Sequence, residues 1–220
     1  MTIQYPPKEF WKHFKEANGA MSSAEAIFLY NVCLQVPEEG VLVEAGTAYG
    51  KSALVSLMAW VERKDNYFYL LEPQFENPEF YKEAALNIAN FKEKFGGDTK
   101  CDFTAEYSTD FLPKFDGYSY IFWDSGSHGS ELVSLEKPII ESRMMSGGIL
   151  AMHDVFSQFT ACTEAYYELI RSGNFEPIEY DWKEINGYVK ENSLDDCNRS
   201  WHQYPELPHS PNFIGALRRK

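Results

Sequence analysis

The segment that most restricts what this chain can fold into is Val41-Leu42-Val43-Glu44-Ala45-Gly46-Thr47-Ala48-Tyr49-Gly50-Lys51-Ser52, followed at once by Ala53-Leu54-Val55-Ser56-Leu57-Met58-Ala59. An apolar run of strand length ends in a carboxylate, breaks into a short loop with glycines at 46 and 50, and restarts with apolar residues at helical period. Strand, tight glycine turn and helix start are the arrangement that carries backbone N–H groups close to a bound ligand.

Around that unit the chain alternates. Phe10, Trp11 and Phe14 predict an amphipathic helix over about 8–17, and Ser22-Ser23-Ala24-Glu25 reads as a capping box opening a second helix. A helix follows the glycine loop to about Glu62. Further strands are expected at Tyr67–Leu71, Cys101–Ala105, Tyr118–Trp123 and, after a turn at Gly147-Gly148, Ile149–Met152. Helices are expected over about 78–95, 130–143 and 157–172, then a strand near Phe175–Tyr180 with Gly187–Lys190 as its hairpin partner. Strands separated by helices of crossover length predict an α/β, doubly wound, mostly parallel sheet with helices on both faces. The 220 residues read as a single domain: helices within 1–38 are expected to cover the site, and 193–220 to form an irregular tail.

Composition narrows the ligands. A net charge of −13, with Arg218-Arg219-Lys220 as the basic cluster, disfavours nucleic acid and anionic membranes and favours a small neutral or cationic substrate. No apolar run approaches the ~18 residues of a membrane span and no secretory core opens the chain, so a soluble, cytoplasmic protein is expected. Cys33, Cys101, Cys162 and Cys197 are far apart and read as free thiols.

Four predicted strands end in polar residues: Glu44, Glu72, Asp124 and the pair His153-Asp154. In a doubly wound sheet these lie along one edge, where ligands bind. Three ligand classes compete for the loop. Ala45 to Ser52 fits a loose phosphate-loop pattern ending in Gly50-Lys51-Ser52, but alanine stands first, Tyr49 adds bulk, and Glu44 places charge beside the phosphates. A dinucleotide loop needs a third glycine and meets the same objection from Glu44. A ligand with adenine, ribose, a sulfonium and an ammonium but no phosphate suits both Glu44 and Glu72; S-adenosylmethionine is such a ligand.

Here the sequence resembles class I S-adenosylmethionine-dependent methyltransferases, in particular the small-molecule O-methyltransferase-like group of the methyltransferase family 24 type, over about residues 22–180. Glu44 to Ser52 resembles that family's glycine loop and Leu71-Glu72-Pro73 its ribose-binding strand end. Tyr107-Ser108 falls where the family contacts adenine. Tyr120–Asp124, with His128 nearby, and Ser146–Val155 resemble its later motifs. The resemblance implies a Rossmann-like, seven-stranded sheet with a reversed C-terminal hairpin. It also implies cofactor contacts from Glu44, Gly46, Thr47, Tyr49, Gly50, Ser52, Glu72, Ser108 and Asp124.

The expected activity is methyl transfer from S-adenosylmethionine to a small molecule at a hydroxyl. His128 and His153 are the candidate bases, and Asp124 or Asp154 would orient the chosen one. Metal-dependent relatives hold magnesium at the ends of the fourth and fifth strands. Here Asp124 and Asp154 would be the ligands, and His153 in the set points to a softer divalent ion. The rival functions are a nucleotide-binding protein using Gly50-Lys51-Ser52 and a non-catalytic S-adenosylmethionine binder. His13, His202 and His209 read as surface residues. Tyr5, Phe10, Trp11, Trp201, His202 and Tyr204 would cover the substrate, contact a second copy in a homo-oligomer, or pack on the sheet.

Overall fold

Tyr118–Trp123 is buried at every position, and a strand with no solvent face must be covered from both sides. The computed structural model describes residues 2–19, 21–63, 66–125, 129–155, 160–194 and 214–220, and it shows that cover. In chain order the elements are α1 (Phe10–Glu16), α2 (Ser23–Cys33), β1 (Val41–Ala45), α3 (Lys51–Ala59), β2 (Tyr67–Leu71), α4 (Pro78–Phe95), β3 (Lys100–Thr104) and α5 (Ser108–Phe111). They continue with β4 (Tyr118–Trp123), α6 (Ser130–Arg143), β5 (Met144–Met152), α7 (Thr160–Arg171), β6 (Phe175–Pro177), α8 (Trp182–Glu191) and β7 (Gly215–Arg219).

The strands form one seven-stranded sheet in the order β3-β2-β1-β4-β5-β7-β6, parallel except for β7, which runs antiparallel to β5 and β6. Strand order reverses between β1 and β4, and at such a switch point the following loops diverge and leave a crevice.

Two apolar layers sandwich the sheet. One gathers Phe10, Phe14, Ile27, Leu54, Trp60 and Phe91 from the helices against Phe68, Tyr120 and Phe122. The other gathers Phe111, Val133, Ile140, Tyr166 and Leu169 against Val43, Ile121, Trp123 and Leu150. Tyr118 joins the second layer although Tyr120 joins the first. Pairing with β1 slips there, the adjacent Val41 and Leu42 facing Tyr118 and Tyr120, so β4 carries one extra residue, which sends the side chains beyond it to opposite faces. Trp60 anchors the first layer: its ring meets Phe68 and Tyr120 edge-on at 5.2 and 4.9 Å, and its indole N–H donates to the Cys33 carbonyl at 2.9 Å. Truncating so large a buried ring costs about 3–5 kcal/mol.

The capping box at Ser22 and Glu25 forms as expected: Glu25 N–H donates to Ser22 Oγ at 3.2 Å and Ser22 N–H to Glu25 Oε2 at 2.8 Å. Other expectations need correction. Gly187–Lys190 is not a strand but lies within α8, whose N-cap Asp181 accepts from the N–H groups of Lys183 and Glu184. Ile185 and Val189, four apart, bury the inner face of that helix. The antiparallel partner of β6 is instead β7, drawn from the stretch read as irregular tail. Arg218 there bonds to Gln35 and Arg219 lies 5.1 Å over the Phe175 ring, so this cluster is part of the sheet edge. Glu44 lies inside β1, one residue before its end. Strand β5 begins at Met144, not at Ile149. Cys33, Cys101 and Cys162 are free thiols, as expected; Cys197 lies outside the described residues.

Candidate active site

Strands β2, β1, β4 and β5 are neighbours and parallel, so their carboxyl ends bring Glu72, Gly46, Asp124 and His153 to one edge. Backbone bonds beyond the strands fix the spacing. Gly46 and Thr47 N–H both donate to the Leu71 carbonyl at 2.9 and 3.1 Å, Asp124 N–H to Ala45 at 2.9 Å, and His153 N–H to Trp123 at 3.1 Å. Gly46 has φ +89, and a Cβ there would lie 1.9 Å from the Asp124 carbonyl oxygen. Only glycine lets β1 and β4 approach this closely at the crevice.

Two cavities meet at Gly46. The larger, about 260 Å³, is lined by Gly46, Glu72, Gln74, Tyr107, Ser108 and Ser125 among others. Glu72 is held rigidly on its wall: one carboxylate oxygen accepts from Ala48 N–H at 3.1 Å and the other from Gln74 N–H at 3.2 Å. The smaller, about 60 Å³, is lined by Thr47, Tyr49, Ser52, Lys51, Asp124 and His153, with Asn18, Gly19 and Met21 contributed from between α1 and α2. Tyr49 also packs on Phe80 at 4.5 Å. Gly50, at φ +83, lines neither of these two cavities; it is the left-handed residue from which α3 starts. Lys51 lies with its ammonium 4.6 Å from the centre of the Phe14 ring.

Glu44 is fully buried behind this wall and accepts from Ser52 Oγ at 2.8 Å; its other oxygen, Oε2, has no hydrogen-bond partner among the described residues. Burial pushes its carboxyl well above the usual carboxylate range, Ser52 opposes that, and Asp124 adds to it. The charge argument drawn from the sequence therefore changes. Glu44 is an acid made to prefer its neutral form, which a nearby cation would return to the carboxylate.

His153 sits in a cluster of ionisable groups. Its Nδ1 lies 3.6 Å from both Asp124 Oδ1 and Asp154 Oδ2, and its Nε2 lies 3.9 Å from Glu25 Oε1. Burial disfavours the charged ring, but Asp124, Asp154 and Glu25 outweigh it and raise the histidine well above its ordinary value. Asp154 holds the left-handed φ of +56, a conformation that aspartate tolerates better than most residues and that is common at functional sites. Asp124, His153 and Asp154 each offer a ligand atom within 4.8 Å of the others. Two carboxylates and an imidazole fit a transition metal better than magnesium, which prefers oxygen ligands throughout.

His128 lies outside the described residues, as do Trp201, His202, Tyr204 and His209. His13 is half-buried, edge-on to Phe95 at 5.4 Å. Two buried acids escaped the reading of the sequence. Glu25 was recognised as a helix cap but not as a site residue. Glu136, on α6, shares an apolar stripe with Val133 and Ile140, and an acid on such a stripe is the signal that could have found it.

Comparison with known proteins shows the family and the fold. Residues 43–155, just over half of the chain, match the family model described as a methyltransferase domain, and the chain belongs to that methyltransferase family. The fold is shared with an O-methyltransferase from Bacillus cereus solved in complex with S-adenosylhomocysteine, at 13% identity and a TM-score of 0.57, covering 79% of this chain and 84% of that one. It is shared too with the O-methyltransferase TomG from Streptomyces achromogenes, involved in tomaymycin synthesis and solved with S-adenosylmethionine, at 13% identity, TM-score 0.55, covering 81% and 84%. CalS11, a TDP-rhamnose 3'-O-methyltransferase of calicheamicin biosynthesis, aligns at 12% identity, TM-score 0.54, covering 88% and 76%. A search of curated proteins finds no significant sequence match.

Proposed function

We propose that this methyltransferase moves the methyl group of S-adenosylmethionine to a hydroxyl of a small molecule. The observation that carries the reading is the pair of cavities meeting at Gly46: one walled by the fixed carboxylate of Glu72, the other by Asp124 and His153. The larger suits the nucleoside, with Glu72 accepting from the ribose hydroxyls and Tyr107-Ser108 beside the base. The smaller suits the methionine end and the acceptor, with Thr47, Ser52 and Asp124 along the cofactor and Glu44 behind Ser52.

Sulfonium methyl groups are already electrophilic, so the protein has to align the acceptor and remove its proton. The acceptor O–H gives its proton to His153, its oxygen forms the new bond to the methyl carbon, and the C–S bond breaks with its electron pair left on sulfur. Asp124 and Asp154 orient the ring. Because those carboxylates hold His153 protonated above its ordinary value, the base becomes available only as pH rises beyond that value. With Asn18, Gly19 and Met21 lining the smaller cavity, the N-terminal helices of residues 1–38 would cover the acceptor.

A second reading rests on the three ligand atoms within 4.8 Å. Asp124, His153 and Asp154 would hold a divalent transition metal, which would lower the proton affinity of the acceptor hydroxyl. His153 is then a ligand rather than a base.

The test is a thermal-shift series with S-adenosylhomocysteine, ATP with magnesium, and NAD, on wild type and Glu72→Ala. S-adenosylhomocysteine is expected to stabilise wild type and to lose most of that effect in the variant. Stabilisation by ATP alone, or equal stabilisation of both proteins, overturns the reading. Loss of methyl transfer after chelation, restored by manganese or zinc, selects the metal over the histidine base.

A further inference from the structure

The larger cavity has a wall whose polarity is set from behind. Glu136 is fully buried, and among the described residues its carboxylate accepts from Trp123 Nε1 at 2.7 Å, from Ser125 Oγ at 2.6 Å, and from Ser108 Oγ. Trp123 Nε1 also donates to Ser125 Oγ at 3.1 Å. Both serines line the cavity. A serine hydroxyl owns one hydrogen, and a carboxylate can only accept. With both hydrogens turned back to Glu136, the two oxygens offer the cavity lone pairs alone.

Resting on the placement of the nucleoside in this cavity, we infer that Glu136 is a positioning residue that makes the base subsite select a purine bearing an exocyclic amino group. An amino group donates two hydrogens and satisfies Ser108 and Ser125. A carbonyl oxygen at the same place meets lone pair with lone pair, and a bare C–H leaves both serines unpaired, which costs the desolvation of buried polar groups. Glu136 touches no ligand. It acts through the direction in which two hydroxyls point.

Glu136→Gln separates this role from mere packing. The glutamine oxygen still accepts from Trp123 and Ser125, while its amide N–H donates to Ser108. The Ser108 hydrogen is then released toward the cavity, where it can meet a carbonyl. Volume and backbone stay the same, and only the polarity of one wall atom reverses.

The experiment measures dissociation constants of S-adenosylhomocysteine, its inosine counterpart (carbonyl for amino) and its purine-riboside counterpart (hydrogen for amino). Wild type is expected to bind the adenosyl compound about tenfold more tightly than either analogue, the effect of one or two hydrogen bonds. Glu136→Gln is expected to move the adenosyl-to-inosyl ratio several-fold toward one. In Ser108→Ala, which leaves the buried carboxylate in place should the glutamine variant fail to fold, the preference for adenosyl over purine-riboside compound should shrink. A wild type that binds all three equally, or folded variants whose ratios match wild type, overturn the inference while leaving the cofactor assignment standing. A wild type that binds none of the three overturns both.

Discussion

Glu25 Oε1 lies 3.9 Å from His153 Nε2, so the carboxylate that caps α2 also faces the ring at the end of β5. One side chain thus ties the start of an N-terminal helix to His153, the proposed base. Glutamine at this position still closes the capping box but removes the negative charge. Glu25→Gln is expected to cost under about 1 kcal/mol in stability and to lower the pH at which activity rises. Denaturant unfolding and a pH–rate profile together check this; a large stability loss with an unmoved profile would show that Glu25 only caps.

Asp124 is the first charged cause lifting His153 above its ordinary 6.5. The rate should therefore climb along a limb above that value, as the ring loses its proton. Removing the carboxylate in Asp124→Asn lowers the histidine's proton affinity, so the limb moves to lower pH even as the maximal rate falls. His153→Ala should reduce kcat by about a hundredfold or more. An Asp124→Asn limb shifted upward would contradict the role of Asp124.

Glu44 provides a stability test with an opposite sign from that of most carboxylates. Its folded form keeps the proton well above the ordinary 4.5, because burial penalises the charge. The unfolded chain releases that proton near 4.5, so the neutral acid's stabilising contribution is whole below that pH and is lost as pH rises toward the folded value. Glu44→Gln, which still accepts from Ser52, escapes this loss. Its stability advantage over wild type should grow by up to about 1.4 kcal/mol per pH unit above the carboxylate range, read from melting curves at several pH values. Parallel curves for the two proteins would refute it.

Gly46→Ala tests the join between the cavities. Its Cβ would lie 1.9 Å from the Asp124 carbonyl, at a φ of +89. The backbone strain alone costs about 1–3 kcal/mol, and relief requires β1 and β4 to part. A lower Tm together with loss of the shift caused by S-adenosylhomocysteine is expected. Retained ligand response would show that the close approach is not needed for binding.

Much of this was legible in the residues for identifiable reasons. Tyr67–Leu71 and Tyr118–Trp123 are apolar runs of strand length, and α4 carries its own Asn77 cap with proline at its first turn. Once the sheet is parallel, the positions of Glu72, Asp124 and His153 follow from topology. The errors arise where a residue serves packing rather than its usual local role. Gly148 reads as a turn, but it lies within β5 because a Cβ there would come within 2.8 Å of the Tyr118 carbonyl. Gly187 and Tyr188-Val189 look like strand punctuation, yet Ile185 and Val189 at helical spacing decide the matter. Arg218 and Arg219 read as a basic cluster in an irregular tail, while Ala216 and Leu217 beside them are fully buried in the sheet. Glu25 reaches His153 from a helix far away in sequence, and its capping pattern does not report that contact.

Strand β7 places a constraint on the order in which the site is assembled during synthesis. It flanks β5 along Ile149–Met152, the stretch leading directly to His153, yet it is drawn from residues 215–219. A ribosome delivers Gly46, Glu72, Asp124 and His153 well before it delivers the strand that closes the outer side of β5. Until then β5 is an open edge, able to pair with the wrong strand, and the stretch leading to His153 is held from one side only. The glycine loop is thus delivered early, whereas the outer side of β5 is covered only once β7 has been threaded between β5 and β6.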